Sequence, residues 1–278
     1  MTKQSIKQLR IGFVGGGNMA AALIGGLADK LTEGANIHVV DINEEALNRL
    51  SSQFGVTTAT QIDEVLAQCD VIVLAVKPQQ MRDVVKEVKP HIKAQLLLSI
   101  AAGIRAADLS RWLGGHEAIV RTMPNTPALV GMGITGMAAM KGVSVKQREQ
   151  AEAIMRAVGK TVWLDDEAQI DPVTAISGSG PAYVFYFIEA MQQAAKEMGL
   201  TEAQGTELAI ETFRGAAQLA ANATEPVSLL RERVTSKGGT TYAALTSMEQ
   251  GGVKDAIVQA VKAAAQRGRE LGEKFGKD

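Results

Sequence analysis

The chain is poor in cysteine, histidine and aromatic rings, and each shortage narrows what it can be. One thiol, Cys69, among 278 residues excludes an internal disulfide. With no Cys or His at metal-ligand spacing around it, Cys69 reads as a small buried residue. The three histidines, His38, His91 and His116, all fall in the first half, so the second half has no imidazole to offer as an acid–base group. No apolar run approaches the roughly 18 residues of a membrane span, and Met1 to Arg10 lacks the apolar core of a secretory signal. A cytoplasmic protein is expected, with no membrane partner. A basic surplus is missing as well: 29 Lys and Arg face 30 Asp and Glu, a net charge of −1. Nothing here favours a phosphate backbone, which disfavours nucleic acid as a partner.

What remains is ample apolar material, 46% of the residues, in a length that suits one large domain or two ordinary ones. From about Leu9 to Leu164, short apolar runs alternate with amphipathic stretches: LRIGFV, IHVVD, DVIVLAV, QLLLSIAAG and AIVRTMP. That alternation predicts an α/β fold, a doubly wound, mostly parallel sheet of Rossmann type with helices on both faces. After Asp165 the strand signals stop. Tyr183, Phe187, Ala190, Ala194 and Met198 recur at helical spacing, with breaks at Gly199-Leu200-Thr201 and around Glu225-Pro226. The expected organisation is a nucleotide-binding domain over 1–164 and an all-helical domain over 165–278. The second is small and alanine-rich, a thin core that invites a second copy to pack closely, so a dimer is expected.

The first strand runs into Gly15-Gly16-Gly17-Asn18-Met19-Ala20, a G-x-G-x-x-A turn. Gly15 permits the tight bend, Gly17 lets a pyrophosphate approach the backbone, and Ala20 lets helix and strand pack closely beneath the helix N-terminus. The second strand ends in Asp41, about twenty residues beyond Ala20, where an acid accepts from an adenosine ribose and repels a 2′-phosphate. The cofactor read from these residues is therefore NADH or NADPH, with NADH favoured by Asp41. The alternative for Asp41 is a cap on the helix beginning near Glu44. Ala75-Val76-Lys77-Pro78, Ala101-Ala102-Gly103 and Met123-Pro124-Asn125-Thr126-Pro127 follow three further strands, placing Ala75, Val76, Lys77, Pro78, Ala101 and Asn125 where an open sheet binds its ligand. Lys77 reads equally well as a solvated surface lysine.

Gly238-Gly239-Thr240 before a helical pattern offers free backbone amides to a small carboxylate, the alternative being a plain Ser or Thr cap before Tyr242. The wider segment Val234-Thr235-Ser236-Lys237-Gly238-Gly239-Thr240-Thr241 resembles the signature of the pyrroline-5-carboxylate reductases. Ala75-Val76-Lys77-Pro78, Met123-Pro124-Asn125-Thr126-Pro127-Ala128 and Ile176-Ser177-Gly178-Ser179-Gly180-Pro181-Ala182-Tyr183 support it, in the family's order, so that the likeness spans about residues 9 to 275. The resemblance implies NAD(P)H-dependent reduction of L-1-pyrroline-5-carboxylate to L-proline, the last step of proline biosynthesis. It implies that Ser236, Gly239 and Thr240 hold the substrate carboxylate, that Thr241 meets the ring nitrogen as the catalytic residue, and that Glu225 is the family acid. It also implies a homodimer whose helical domains interleave, or a higher assembly such as a dimer of dimers or a pentamer of dimers. No metal is implied. Two positions depart from the family pattern: Lys237 stands where proline is common, removing a conformational lock, and Asp41 stands where many relatives carry a small hydroxyl or basic residue. A 3-hydroxyacid dehydrogenase with Lys196 as base, and a dinucleotide sensor without turnover, are the rival readings.

Overall fold

The computed structural model describes residues 8–277, and among them the chain forms two compact units. The first runs to Ser179 and resumes at Ala264; the second is Gly180–Ala263.

The first unit is built on eight strands: β1 Ile11–Val14, β2 Ile37–Val40, β3 Thr57–Ala59, β4 Val71–Leu74, β5 Leu96–Ser99, β6 Ile119–Met123, β7 Gly133–Ala139 and β8 Gly159–Trp163. They lie in the order β3-β2-β1-β4-β5-β6-β7-β8, parallel throughout except for the antiparallel pair β6–β7. β1, β2, β4 and β5 are buried at every residue, which is why they read as continuous apolar runs rather than alternations. Successive residues serve opposite faces. Val71 and Val73 join Leu23, Ile24 and Leu27 of α1 (Asn18–Lys30) and Leu47 and Leu50 of α2 (Glu44–Phe54). Ile72 and Leu74 join Met81, Val85 and Val88 of α3 (Pro78–Val88) and Leu109 of α4 (Ala106–Trp112). Each such side chain stabilises the sheet by about 1.5–3 kcal/mol, and the doubly wound, mostly parallel architecture is the one expected. Strand order reverses between β1 and β4, opening a crevice beyond their carboxyl ends. Cys69 is buried, 7% exposed, and its thiol is pushed up to about 11, chiefly by burial.

Three strands were not anticipated. β7 reads Gly-Ile-Thr-Gly-Met-Ala-Ala, in which two glycines and two alanines dilute the strand preference of Ile134 and Thr135, yet Gly136 is required there because a Cβ would meet Val173 Cγ1 at 2.7 Å. α5 (Val145–Arg156) leads from β7 to β8, its Ser144 cap closing a capping box with Gln147.

The compact units do not follow the partition at 164/165. After β8 the chain makes a short helix, α6 (Ile170–Val173), and a π-helical turn, Thr174–Gly178, both within the first unit. Arg121 of β6, 4% exposed, draws them in: its guanidinium lies 3.0 Å from Glu167 and 3.7 Å from Asp171. A buried guanidinium without carboxylates would be costly, so residues 165–179 stay with the sheet. The end of the final helix returns to this unit by packing, Phe275 against the core on the face that holds Leu109, and Arg111 donates to Gly276 O at 2.6 Å.

The second unit contains α7 (Gly180–Glu197), α8 (Glu202–Asn222), α9 (Val227–Arg233), α10 (Thr240–Gln250) and the start of α11 (Val253–Phe275). Breaks fall where glycine and proline put them: Thr201 caps α8 in a capping box with Gln204, and Pro226 precedes α9. The buried face of α7 differs from the expected one. Ala195 packs where a Cβ on Gly205 would meet its methyl at 2.9 Å, Gln192 donates to Thr206 at 2.9 Å, and the Phe187 and Phe213 rings lie 6.5 Å apart. Ala190, Ala194 and Met198 are exposed, because pairing with α8 turns the helix onto its Gln192–Ala195 side. Only Ala195, Gly205 and Ala209 are buried in this unit, while Phe185, Tyr186 and Leu219 are 59%, 72% and 71% exposed. Such an apolar surface on so thin a core marks an association face. Among the described residues, no helix is long and apolar enough to cross a membrane and no cluster of metal-ligating side chains occurs.

Candidate functional site

At the crevice between β1 and β4, Gly15 takes φ 105° and donates to Val40 O at 2.8 Å. A Cβ there would sit 2.6 Å from Ala75 O, so the turn admits only glycine. Gly17 is the N-cap of α1, exposed, with open space where a Cβ would be and no side chain on the first-turn amides. Asn18, Met19 and Ala20 form that first turn, and Ala20 is 1% exposed against the core. Unsatisfied amides, helix dipole and free approach together make an anion cradle. Lys77 is the N-cap of α3, again without a side-chain cap, with Pro78 at the first helical position. A cleft of about 800 Å³ joins these parts: Gly15, Gly17, Asp41, Ala75, Val76 and Lys77 all line it. The residues present thus fit a dinucleotide. Lys77 itself is exposed.

Asp41 is held from two sides. Oδ2 accepts from Gly16 N at 2.6 Å and Oδ1 accepts from Asn43 N at 2.8 Å. It is not the cap of α2; Asn43 is, accepting from Ala46 N at 3.1 Å. The carboxylate therefore stands as a fixed anion at the rim of the glycine turn.

Ala101 and Asn125 lie outside the lining of this cleft. Ala101 is 5% exposed behind the end of β5, and Asn125 is buried with Oδ1 accepting from Ile134 N at 3.0 Å, which fastens the start of β7. The cleft also takes in residues that the sequence reading passed over: Thr60, Gln61 and Ile62 after β3, and Gln80, Val84 and His91 from α3 onward. Gln80, Val84 and Glu87 share one face of α3, a pattern that was available in the sequence, and His91 follows in the turn Lys89–His91.

The second group of site residues lies in the helical unit. Ser236 O accepts from Gly239 N at 3.0 Å, closing a turn in which Gly238 has φ 74°. Gly239 is the N-cap of α10 with no side-chain hydrogen bond, so the Ser or Thr cap does not form and the amides of Thr240 and Thr241 remain available. Ser236, Lys237 and Thr240 are exposed and Thr241 is half-buried. Glu225 has a partner that its sequence neighbourhood did not suggest: Arg233 grips it with two hydrogen bonds, 2.6 and 2.5 Å, bracing both ends of α9. Lys196 is exposed near the end of α7.

Two family models match the chain. "Pyrroline-5-carboxylate reductase dimerisation" covers residues 167–271, and "NADP oxidoreductase coenzyme F420-dependent" covers residues 10–103. The pyrroline-5-carboxylate reductase of Pseudomonas aeruginosa is 46% identical over 96% of this chain and 98% of its own. Among solved structures, a pyrroline-5-carboxylate reductase from Coxiella burnetii superposes with a TM-score of 0.90 at 39% identity, covering 95% of this chain and 98% of that one. The Plasmodium falciparum pyrroline carboxylate reductase, solved with NADP bound, gives 0.87 at 30% identity over 96% and 99%. A glycine turn that admits no side chain, a carboxylate fixed beside it, an uncapped Gly239 helix and likeness along nearly the whole chain converge: this chain belongs to the pyrroline-5-carboxylate reductase family.

Proposed function

We propose that this chain reduces L-1-pyrroline-5-carboxylate to L-proline, preferring NADH, with the substrate anion on the Ser236–Thr241 loop. The observation that carries the reading is the uncapped N-terminus of α10 behind Gly238, the amide cradle that a small carboxylate needs. Ser236, Gly239 and Thr240 hold that carboxylate. Lys237 adds a positive charge beside it. Thr241 places its hydroxyl at the ring nitrogen, where the proton of the iminium must be kept. Glu225, the acid of the family pattern, has its charge offset by Arg233.

A bound dihydronicotinamide would supply a hydride for the C=N carbon of the protonated imine, whose π electrons would pass to nitrogen to leave the secondary amine of proline. No protein nucleophile is required, and orientation of the two rings is the main demand. In the first unit Gly15, Gly17 and the α1 amides take the pyrophosphate, and Asp41 accepts from the ribose hydroxyls. NADH preference is supported by the carboxylate that Gly16 and Asn43 hold in place. Self-association through the helical unit is supported by its exposed apolar side chains, and a cytoplasmic location belongs to the same reading.

Thr241→Ala tests the assignment of the nitrogen partner. It should lower kcat/KM for the imine by roughly tenfold to a thousandfold, with the cofactor KM unchanged; an unchanged kcat/KM removes Thr241 from the site.

A further inference from the structure

Two of the three histidines flank one irregular strip of the cofactor cleft. His38, on β2 and 4% exposed, has Nδ1 2.9 Å from Thr57 Oγ1 and Nε2 3.2 Å from Asp63 Oδ1. The Thr57 hydroxyl is 3.3 Å from Ile37 O. Assigning its proton to the nearer atom makes Nδ1 the acceptor and leaves Nε2 its hydrogen, facing the carboxylate. That hydrogen makes no well-aligned hydrogen bond, so the contact is the close approach of a neutral imidazole N–H dipole to the Asp63 carboxylate at 3.2 Å. His91, beyond α3, lines the cleft and has Nδ1 3.7 Å from Glu64 Oε1. Thr60, Gln61 and Ile62, which line the cleft beside Asp41, come immediately before these two acids in the chain. They belong to no helix or strand. On one side of the strip Ala59 O accepts from Asp41 N at 3.2 Å; on the other Asp63 approaches His38 at 3.2 Å and Glu64 approaches His91 at 3.7 Å, outside hydrogen-bond distance.

We propose that His38 and His91 are positioning residues for the dinucleotide: through Asp63 and Glu64 they clamp Thr60–Ile62 as the wall that receives the adenosine half. This rests on the reading of the cleft as the cofactor site. The strip sits against Asp41, the residue that addresses the ribose, so a displaced wall weakens cofactor binding without touching the chemistry at the nicotinamide. Asp63 also accepts from Val65 N at 3.0 Å; an asparagine keeps that acceptor and loses only the charge toward His38.

The test is made on the full-length protein, with NADH titrated directly and steady-state constants measured in parallel. Asp63 and Glu64 side chains are 37% and 87% exposed, so Asp63→Asn and Glu64→Gln should fold. Each should raise the NADH Kd and KM by about threefold or more, with kcat at saturating NADH and the imine KM within about twofold. Adding His38→Gln to Asp63→Asn should change the Kd little further, since both remove one contact. A purely structural role would lower Tm and the active fraction with Kd unmoved. An unchanged Kd in both single variants, beside normal binding by the wild-type chain, overturns the clamp. Gly15→Val serves as the control for the cleft itself: NADH binding that survives it would overturn the cleft reading instead.

Discussion

Asp41 Oδ2 accepts the Gly16 amide at 2.6 Å, joining the end of the second strand to the middle of the glycine turn across 25 residues. With Asn43 N on Oδ1, the contact holds the carboxylate beside the glycine turn; in the function proposed above, that is where the 2′ position of an adenosine ribose is read.

Replacing Asp41 with serine should therefore shift cofactor choice. The ratio of kcat/KM for NADPH over NADH is expected to rise at least about tenfold, equivalent to about 1.4 kcal/mol of relieved repulsion. Parallel steady-state measurements with the two cofactors check it.

Arg121 is the most deeply placed charge of the account. Arg121→Ala should destabilise the protein by about 3 kcal/mol, the low end for breaking a buried pair, because Glu167 and Asp171 keep partial access to water at 30% and 16% exposure. Glu167→Gln retains a hydrogen-bond acceptor and should cost only about 1 kcal/mol. Urea unfolding of the two variants measures both.

His38 sets a pH dependence of stability. Burial lowers its pKa below 6.5, outweighing the opposing pull of Asp63. The unfolded chain therefore takes up the proton first as pH falls. The stability that neutral His38 contributes is complete above 6.5 and is lost as pH drops from there through the lowered folded value. Urea midpoints should decline more between pH 7.5 and pH 5 for the wild-type chain than for His38→Gln; equal declines would contradict this.

The sequence revealed most where one residue type answers one local demand. Gly15 could be named because only glycine makes that turn, and Asp41 because the end of the second strand is a known place for an acid. β7 stayed hidden because its glycines and alanines are chosen for close packing, Gly136 against Val173, and not for strand preference. Arg121 gave no signal because its acids lie 46 and 50 residues away in the chain, and that same clamp moved the boundary of the first unit beyond 164. Glu225 was legible as an acid but not as the partner of Arg233, since the two meet across the whole of α9. Ala101 and Asn125 stand at strand ends, as expected, Ala101 buried and Asn125 fastening the start of β7.

The most direct measurement is turnover of L-1-pyrroline-5-carboxylate by the purified protein with NADH and, separately, with NADPH, the product being identified by chromatography. Proline formation with both, and a higher kcat/KM with NADH, is the expected result. Cofactor binding without proline formation would contradict the account at its centre, and a clear NADPH preference would contradict the role given to Asp41.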